Sequence, residues 1–171
     1  QVAEDFHARH SAVARSYRYI IANTPVRSAN FAKKVTFEPN PLDAKKMHEG
    51  AQCLLGEHDF SSFRGAACQS KSPFRFVEHV QVVRQGDLVT IEIKANAFVL
   101  HMVRNIAGVL MDVGLGKQPV SYVESLLKLK DRQQGSKTAP PFGLYFVAAH
   151  YPKECNIQTL APGPLFLPNS L

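Results

Sequence analysis

The pattern of apolar residues predicts an α+β fold, with helices packed on a mainly antiparallel or mixed sheet. Three observations carry this. Three runs alternate polar and apolar residues with the period of a half-buried strand, and three longer stretches repeat apolar residues at helical spacing. Two of the alternating runs are joined only by Gln85, Gly86 and Asp87, which suits a hairpin and is too short for a parallel crossover.

The first strand spans 15–22 (RSYRYIIA), putting Tyr17 and Tyr19 on one face and Arg18 on the other. Asn23, Thr24 and Pro25 break it, and a loop carrying Lys33 and Lys34 follows. Asp43 is placed to cap a helix over 44–55, where Met47, Ala51, Leu54 and Leu55 share a face and Gly56 is the stop. The stretch 58–72 is polar and is expected to be irregular. Strands over 76–84 and 88–95 make the hairpin. A helix is expected over 98–113, with Val99, Val103, Ile106 and Leu110 facing the core and Gly114 ending it. His101, Asn105, Gly108 and Asp112 lie on its opposite arc, with Arg104 at the flank. A further helix covers 120–130, and a last strand 144–149 follows the Pro140-Pro141 loop. No repeat or linker divides the chain, so residues 1–171 are expected to form one domain, with a core over 1–152 and an extended tail over 153–171.

The 171 residues are 45% hydrophobic and 20% charged, enough apolar content for a real core and unlike a disordered chain. Lys and Arg number 20 against 14 Asp and Glu, and the net charge of +6 favours a polyanionic partner. Cys53, Cys68 and Cys155 form no CxxC pair, so neither a disulfide framework nor zinc is expected, and a reducing cytoplasm is the natural setting. The seven His show no HxH or HExxH spacing; no metal is expected. Cys68 lacks the surroundings of a nucleophile, and no glycine-rich phosphate loop opens a helix, so ATP-dependent chemistry has no support. No apolar run reaches membrane-spanning length. The chain opens at Gln1 in a polar phrase without Met, and is expected to be part of a longer protein.

Two features point to chemistry. His7, Arg9, His10, Arg15, Tyr17, Arg18 and Tyr19 interleave cations with aromatics, which suits phosphate contact and base stacking and equally suits a half-exposed strand with solvated charges. Arg104 sits in an otherwise apolar helix, where it either reaches solvent along its stem or meets a carboxylate.

Several phrases narrow these alternatives. Asp5-Phe6-His7-Ala8-Arg9-His10 with Arg15-Ser16-Tyr17-Arg18-Tyr19, Leu54-Leu55-Gly56-Glu57-His58-Asp59-Phe60, Lys94-Ala95-Asn96-Ala97-Phe98 running into His101-Met102-Val103-Arg104-Asn105-Ile106, and Gly143-Leu144-Tyr145 resemble, in order and spacing, the tRNA pseudouridine synthase A family. The ending Gly163-Pro164-Leu165-Phe166-Leu167 resembles its bacterial members. The resemblance implies the pseudouridine synthase fold and isomerisation of uridine to pseudouridine at positions 38 to 40 of the tRNA anticodon stem-loop, without metal or cofactor. It also implies a cytoplasmic homodimer. Tyr17 resembles the aromatic that stacks on the target base and assists at C5, Arg104 the arginine that pairs with a nucleophilic aspartate, and Leu144 the apolar residue that closes the pocket. Arg9, Arg15, Arg18, Arg64, Lys71 and Arg75 are the phosphate-contact candidates.

The family's aspartate belongs to a Gly-Arg-Thr-Asp phrase that does not occur in this sequence, and Asp5, Asp43, Asp59, Asp87, Asp112 and Asp131 stand in other phrases. The chain is therefore expected to be a C-terminal catalytic domain, inactive alone. The alternative is a non-catalytic RNA-binding or dimerisation module.

Overall fold

The computed structural model describes residues 6–157 together with Gly163 and Pro164. It is a mixed α+β structure. Strands β1 (Ala14–Ala22), β2 (Thr36–Phe37), β3 (Gly56–Asp59), β4 (Phe74–Gln85), β5 (Leu88–Ala95) and β6 (Leu144–His150) make one sheet, and helices α1 (Ala44–Ala51), α2 (Met102–Gly114) and α3 (Tyr122–Leu129) accompany it. The order is β2-β1-β5-β4-β3, with β6 also paired to β1. Among the described residues only β1 and β2 run parallel. Because β5 occupies one flank of β1, strands β6 and β2 lie end to end along the other, β6 against Ala14 to Tyr19 and β2 against Ile21 and Ala22.

Alternation along β1 divides its side chains as the period-two rule requires. Tyr19 and Ile21 enter the main core with Ile91 and Ile93 of β5, Val80 and Val82 of β4, and the apolar faces of the three helices. Ile20 and Ala22 point the other way into a small cluster with Val35, on which Phe31, Leu88 and Tyr145 pack. The hairpin closes at Gln85 opposite Leu88, with Gly86 in the left-handed region at φ 56°, a conformation that a side chain resists.

Asp43 caps α1, accepting from the amides of Lys45 and Lys46 at 3.1 and 3.0 Å. The Lys46 amide is the main influence holding its carboxyl below the ordinary range. A depressed folded pKa stabilises above the unfolded value and is lost as pH falls through the folded one. Asp43→Ala is accordingly expected to lower the melting temperature at neutral pH, and the difference from the parent should shrink as acid titrates the carboxyl.

Several expected boundaries move. The helix expected over 44–55 is α1 followed by a 3-10 turn at Gln52–Leu54, and Gly56, at φ 91°, turns the chain directly into β3. Part of the stretch expected to be irregular is thus a strand, paired with the beginning of β4. The two-residue β2 is too short to carry a period. The helix expected from 98 starts at Met102, because His101 adopts φ 61° and Phe98 leaves the helical path to pack against Tyr17. Val99 is buried whether or not it is helical, so its spacing could not discriminate. Of the expected tail, residues 158–162 and 165–171 lie outside the described residues.

Candidate active site

Tyr17 lies on β1 opposite Phe146 of β6, and Tyr19 opposite Leu144, so these side chains share the helix-facing side of the sheet. The Tyr17 ring stands edge-on to Phe98 and Phe146, with centroids 4.9 and 5.3 Å apart. Phe146 is 57% exposed, which leaves this aromatic group open at one side. Among the described residues the Tyr17 hydroxyl has no hydrogen-bond partner. Burial raises its pKa, opposed by the charge of Arg15, so the phenol is neutral at physiological pH. Leu144 and Phe98 pack on the edge of the main core beside Tyr17.

Arg104 projects from the first turns of α2. Its Nε donates to the Ala139 carbonyl at 2.8 Å, and the Ala139 amide donates back to the Arg104 carbonyl at 3.1 Å. Its terminal nitrogens have no hydrogen-bond partner and no carboxylate in ion-pairing range among the described residues. Several aspartates have other partners: Asp43 caps α1, Asp112 pairs with Lys117 at 3.7 Å, Asp59 with Lys130 at 3.6 Å and with the Ser61 hydroxyl, and Asp131 caps a 3-10 turn. Arg104 lies close enough to Tyr19 for its charge to oppose the burial that pushes the Tyr19 phenol up to about 12.

The segment between α3 and β6 brings these elements together. Its Pro140 carbonyl accepts from the Tyr19 hydroxyl at 2.9 Å, and its Phe142 carbonyl from Thr36 at 2.6 Å. Gly143 then turns at φ 95° so tightly that a Cβ would lie 2.4 Å from the Ile20 carbonyl oxygen; only glycine delivers Leu144 to its place opposite Tyr19. Asn105, Thr138 and Arg132 also hold this segment. Asn105 is signalled in the sequence by its place beside Arg104 in the family-like phrase and on the polar arc of α2, whereas Thr138 and Arg132 carry no signal as candidate site residues.

The phosphate-contact candidates divide. Arg18 requires correction: it is 2% exposed and its Nε pairs with Glu92 at 2.9 Å, because its position on β1 turns it onto the sheet rather than outward. Arg15 donates to the carbonyls of Arg9, Ala12 and Asn96. Arg64 holds the carbonyls of Cys68 and Ser70, and Arg75 those of Ser72 and Phe74 with the Ser70 hydroxyl. Both thus shape one loop, which the Cys68 sulfur ties to the start of α2 by accepting from the Leu100 amide at 3.3 Å. Lys71 on this loop and Arg9 are exposed. Among the described residues no group of three His, Cys, Asp or Glu could hold a metal ion, and no helix is long and apolar enough to cross a membrane.

A family model described as tRNA pseudouridine synthase matches residues 51–152, which include α2 with Arg104, the connecting segment and β6 with Leu144. The chain belongs to the tRNA pseudouridine synthase family. Proteins named tRNA pseudouridine synthase A from Legionella pneumophila and Haemophilus ducreyi are 53% and 54% identical to it over 167 residues, and one from Coxiella burnetii is 51% identical. Each alignment covers 98% of this chain and 64% of the relative, so the chain spans a little under two thirds of the length of these synthases. The strands, helices and mixed sheet described above suit the pseudouridine synthase fold.

Proposed function

We propose that this chain is the C-terminal catalytic domain of a tRNA pseudouridine synthase, and that it supplies the acceptor side of the active site. The substrate is uridine at positions 38 to 40 in the anticodon stem-loop. The observation that carries this is Arg104, anchored through Nε while its terminal nitrogens have no partner among the described residues. A guanidinium held this way is prepared for a carboxylate. The carboxylate is the nucleophilic aspartate of the family's Gly-Arg-Thr-Asp phrase, in the part of a full-length synthase that these 171 residues do not span.

In the reaction the N1–C1′ glycosidic bond breaks, the uracil turns, and a C5–C1′ bond forms; the proton lost from C5 is balanced by the one N1 gains. Arg104 keeps the aspartate ionised and aimed at the sugar. The open aromatic slot of Tyr17, Phe98 and Phe146 receives the extruded base, and stacking offsets part of an unstacking cost of a few kcal/mol. The neutral Tyr17 hydroxyl reaches C5 as the relay for the departing proton. Leu144 closes the slot. Arg9, Arg15, Arg64, Lys71 and Arg75 line the approach for phosphates, and the working enzyme is a cytoplasmic homodimer that needs neither metal nor cofactor.

The test is tritium release from tRNA carrying uridine labelled at C5. The protein of the complete reading frame is expected to release label, and Tyr17→Ala to slow release by about 100-fold or more. Tyr17→Phe keeps the ring and should retain tRNA affinity while losing most of the rate. The 171-residue chain by itself is expected to be silent. Release by that chain alone would overturn the need for an outside aspartate, and retention of tRNA without release by the complete protein would favour a binding module.

A further inference from the structure

Arg104 is held by a carbonyl, and a cluster of buried polar groups determines where that carbonyl sits. Asn105, the next residue of α2, is 1% exposed and hydrogen-bonded through both side-chain polar atoms. Its Nδ2 donates to the Phe63 carbonyl at 2.7 Å, while its Oδ1 accepts from the Thr138 hydroxyl at 2.7 Å and from Arg132 at 3.1 Å. Chemistry settles the orientation of this amide. A guanidinium can only donate and a backbone carbonyl can only accept, so the reverse placement would leave both contacts repulsive. Arg132 also donates to the Thr138 hydroxyl at 2.9 Å, closing a triangle of three side chains.

One turn along the same arc, Gly108 lets the connecting segment lie directly on the helix. A Cβ there would be 2.1 Å from the Lys137 carbonyl oxygen and 3.4 Å from the Ala139 amide nitrogen. Residues 137–139 are thus gripped at three successive positions: by the absence of a side chain at Gly108, by Asn105 with Arg132 through Thr138, and by Arg104 through Ala139. Because a guanidinium is planar and rigid, anchoring its Nε–H restricts where the two terminal nitrogens can lie.

We propose that Thr138, Asn105 and Arg132 form a positioning clamp for Arg104. The clamp sets the Ala139 carbonyl, and the carbonyl sets the guanidinium toward its carboxylate. These residues touch no reacting atom. The catalytic consequence rests on the functional reading above, whereas the orientation of Arg104 does not.

The decisive variants are Thr138→Val, which removes the hydroxyl at nearly constant volume, and Thr138→Ser, which restores it. Thr138 is only partly buried, so both are expected to fold, as the melting temperature would verify. Nitrogen-15 NMR of the chain reports solvent exchange at the Arg104 Nε–H. Thr138→Val is expected to accelerate that exchange about fivefold, the factor for one hydrogen bond, and Thr138→Ser to leave it as in the parent. In the complete enzyme the valine variant should lose about tenfold in kcat, with KM for tRNA changed less than about twofold and serine restoring the rate. Unchanged Nε–H exchange in the valine variant overturns the clamp. So does a loss of activity confined to KM, or one that serine does not repair. A complete parent protein that releases no label overturns the functional reading instead, and the exchange rates then decide the clamp by themselves.

Discussion

Gly108→Ala is expected to be among the most destabilising single-methyl additions in the chain, lowering the free energy of unfolding by about 3 kcal/mol. Alanine is the better helix former by about 1 kcal/mol, so an effect of the opposite sign must come from packing. The cause is the Lys137 carbonyl oxygen, 2.1 Å from where the methyl would be, and it belongs to backbone that cannot rotate away as a side chain would. The methyl must push α2 and residues 137–139 apart. That separation breaks the paired Arg104–Ala139 hydrogen bonds, so residual folded protein should also show faster exchange at the Arg104 Nε–H. Gly86→Ala is the control: it meets nothing within 4 Å, and only its φ of 56° opposes it. It should cost about 1 kcal/mol. Urea unfolding of the two variants measures the contrast, and equal midpoints would show that the close approach at Gly108 carries no weight.

Arg104→Lys should lower kcat of the complete enzyme by about 100-fold while the melting temperature and tRNA affinity stay near the parent values. The two jobs of Arg104 demand different atoms. Nε holds the Ala139 carbonyl, and the terminal pair stays available for a carboxylate. A lysine has one nitrogen at the end of a flexible stem, so it either satisfies Ala139 or reaches outward. The positive charge and most of the apolar stem survive, which separates the loss of orientation from a loss of charge or packing. Single-turnover rates would reveal the effect. A lysine variant within about threefold of the parent would mean that charge alone suffices, and that bidentate geometry is not part of the mechanism.

Much of this architecture was legible in the chain. Alternation in 15–22 and 88–95 sets which residues share a face, because a strand offers only two faces, and Tyr19, Ile21, Ile91 and Ile93 go together into the main core. The hairpin, the Asp43 cap and the apolar face of α2 follow from equally local rules. Arg18 departs from the expected phosphate contact for a physical reason: alternation places it on the face opposite Tyr17, and Glu92 on the neighbouring strand pairs with it there. Arg15, Arg64 and Arg75 also hold backbone carbonyls of folded loops, contacts that no spacing announces and that leave them among the proposed phosphate contacts.

The sequence by itself determined the α+β class, the strand faces, and the phrases that carry the family resemblance, since these depend on neighbours a few residues apart. Only the tertiary structure decided how Tyr17, Arg104 and Leu144 are held. Leu144 reaches Tyr19 through the turn at Gly143, and Arg104 is oriented by Ala139, 35 residues away. Hydrogen bonds that close such long loops have no local signature, because their partners are chosen by the packing of α2 against the segment before β6.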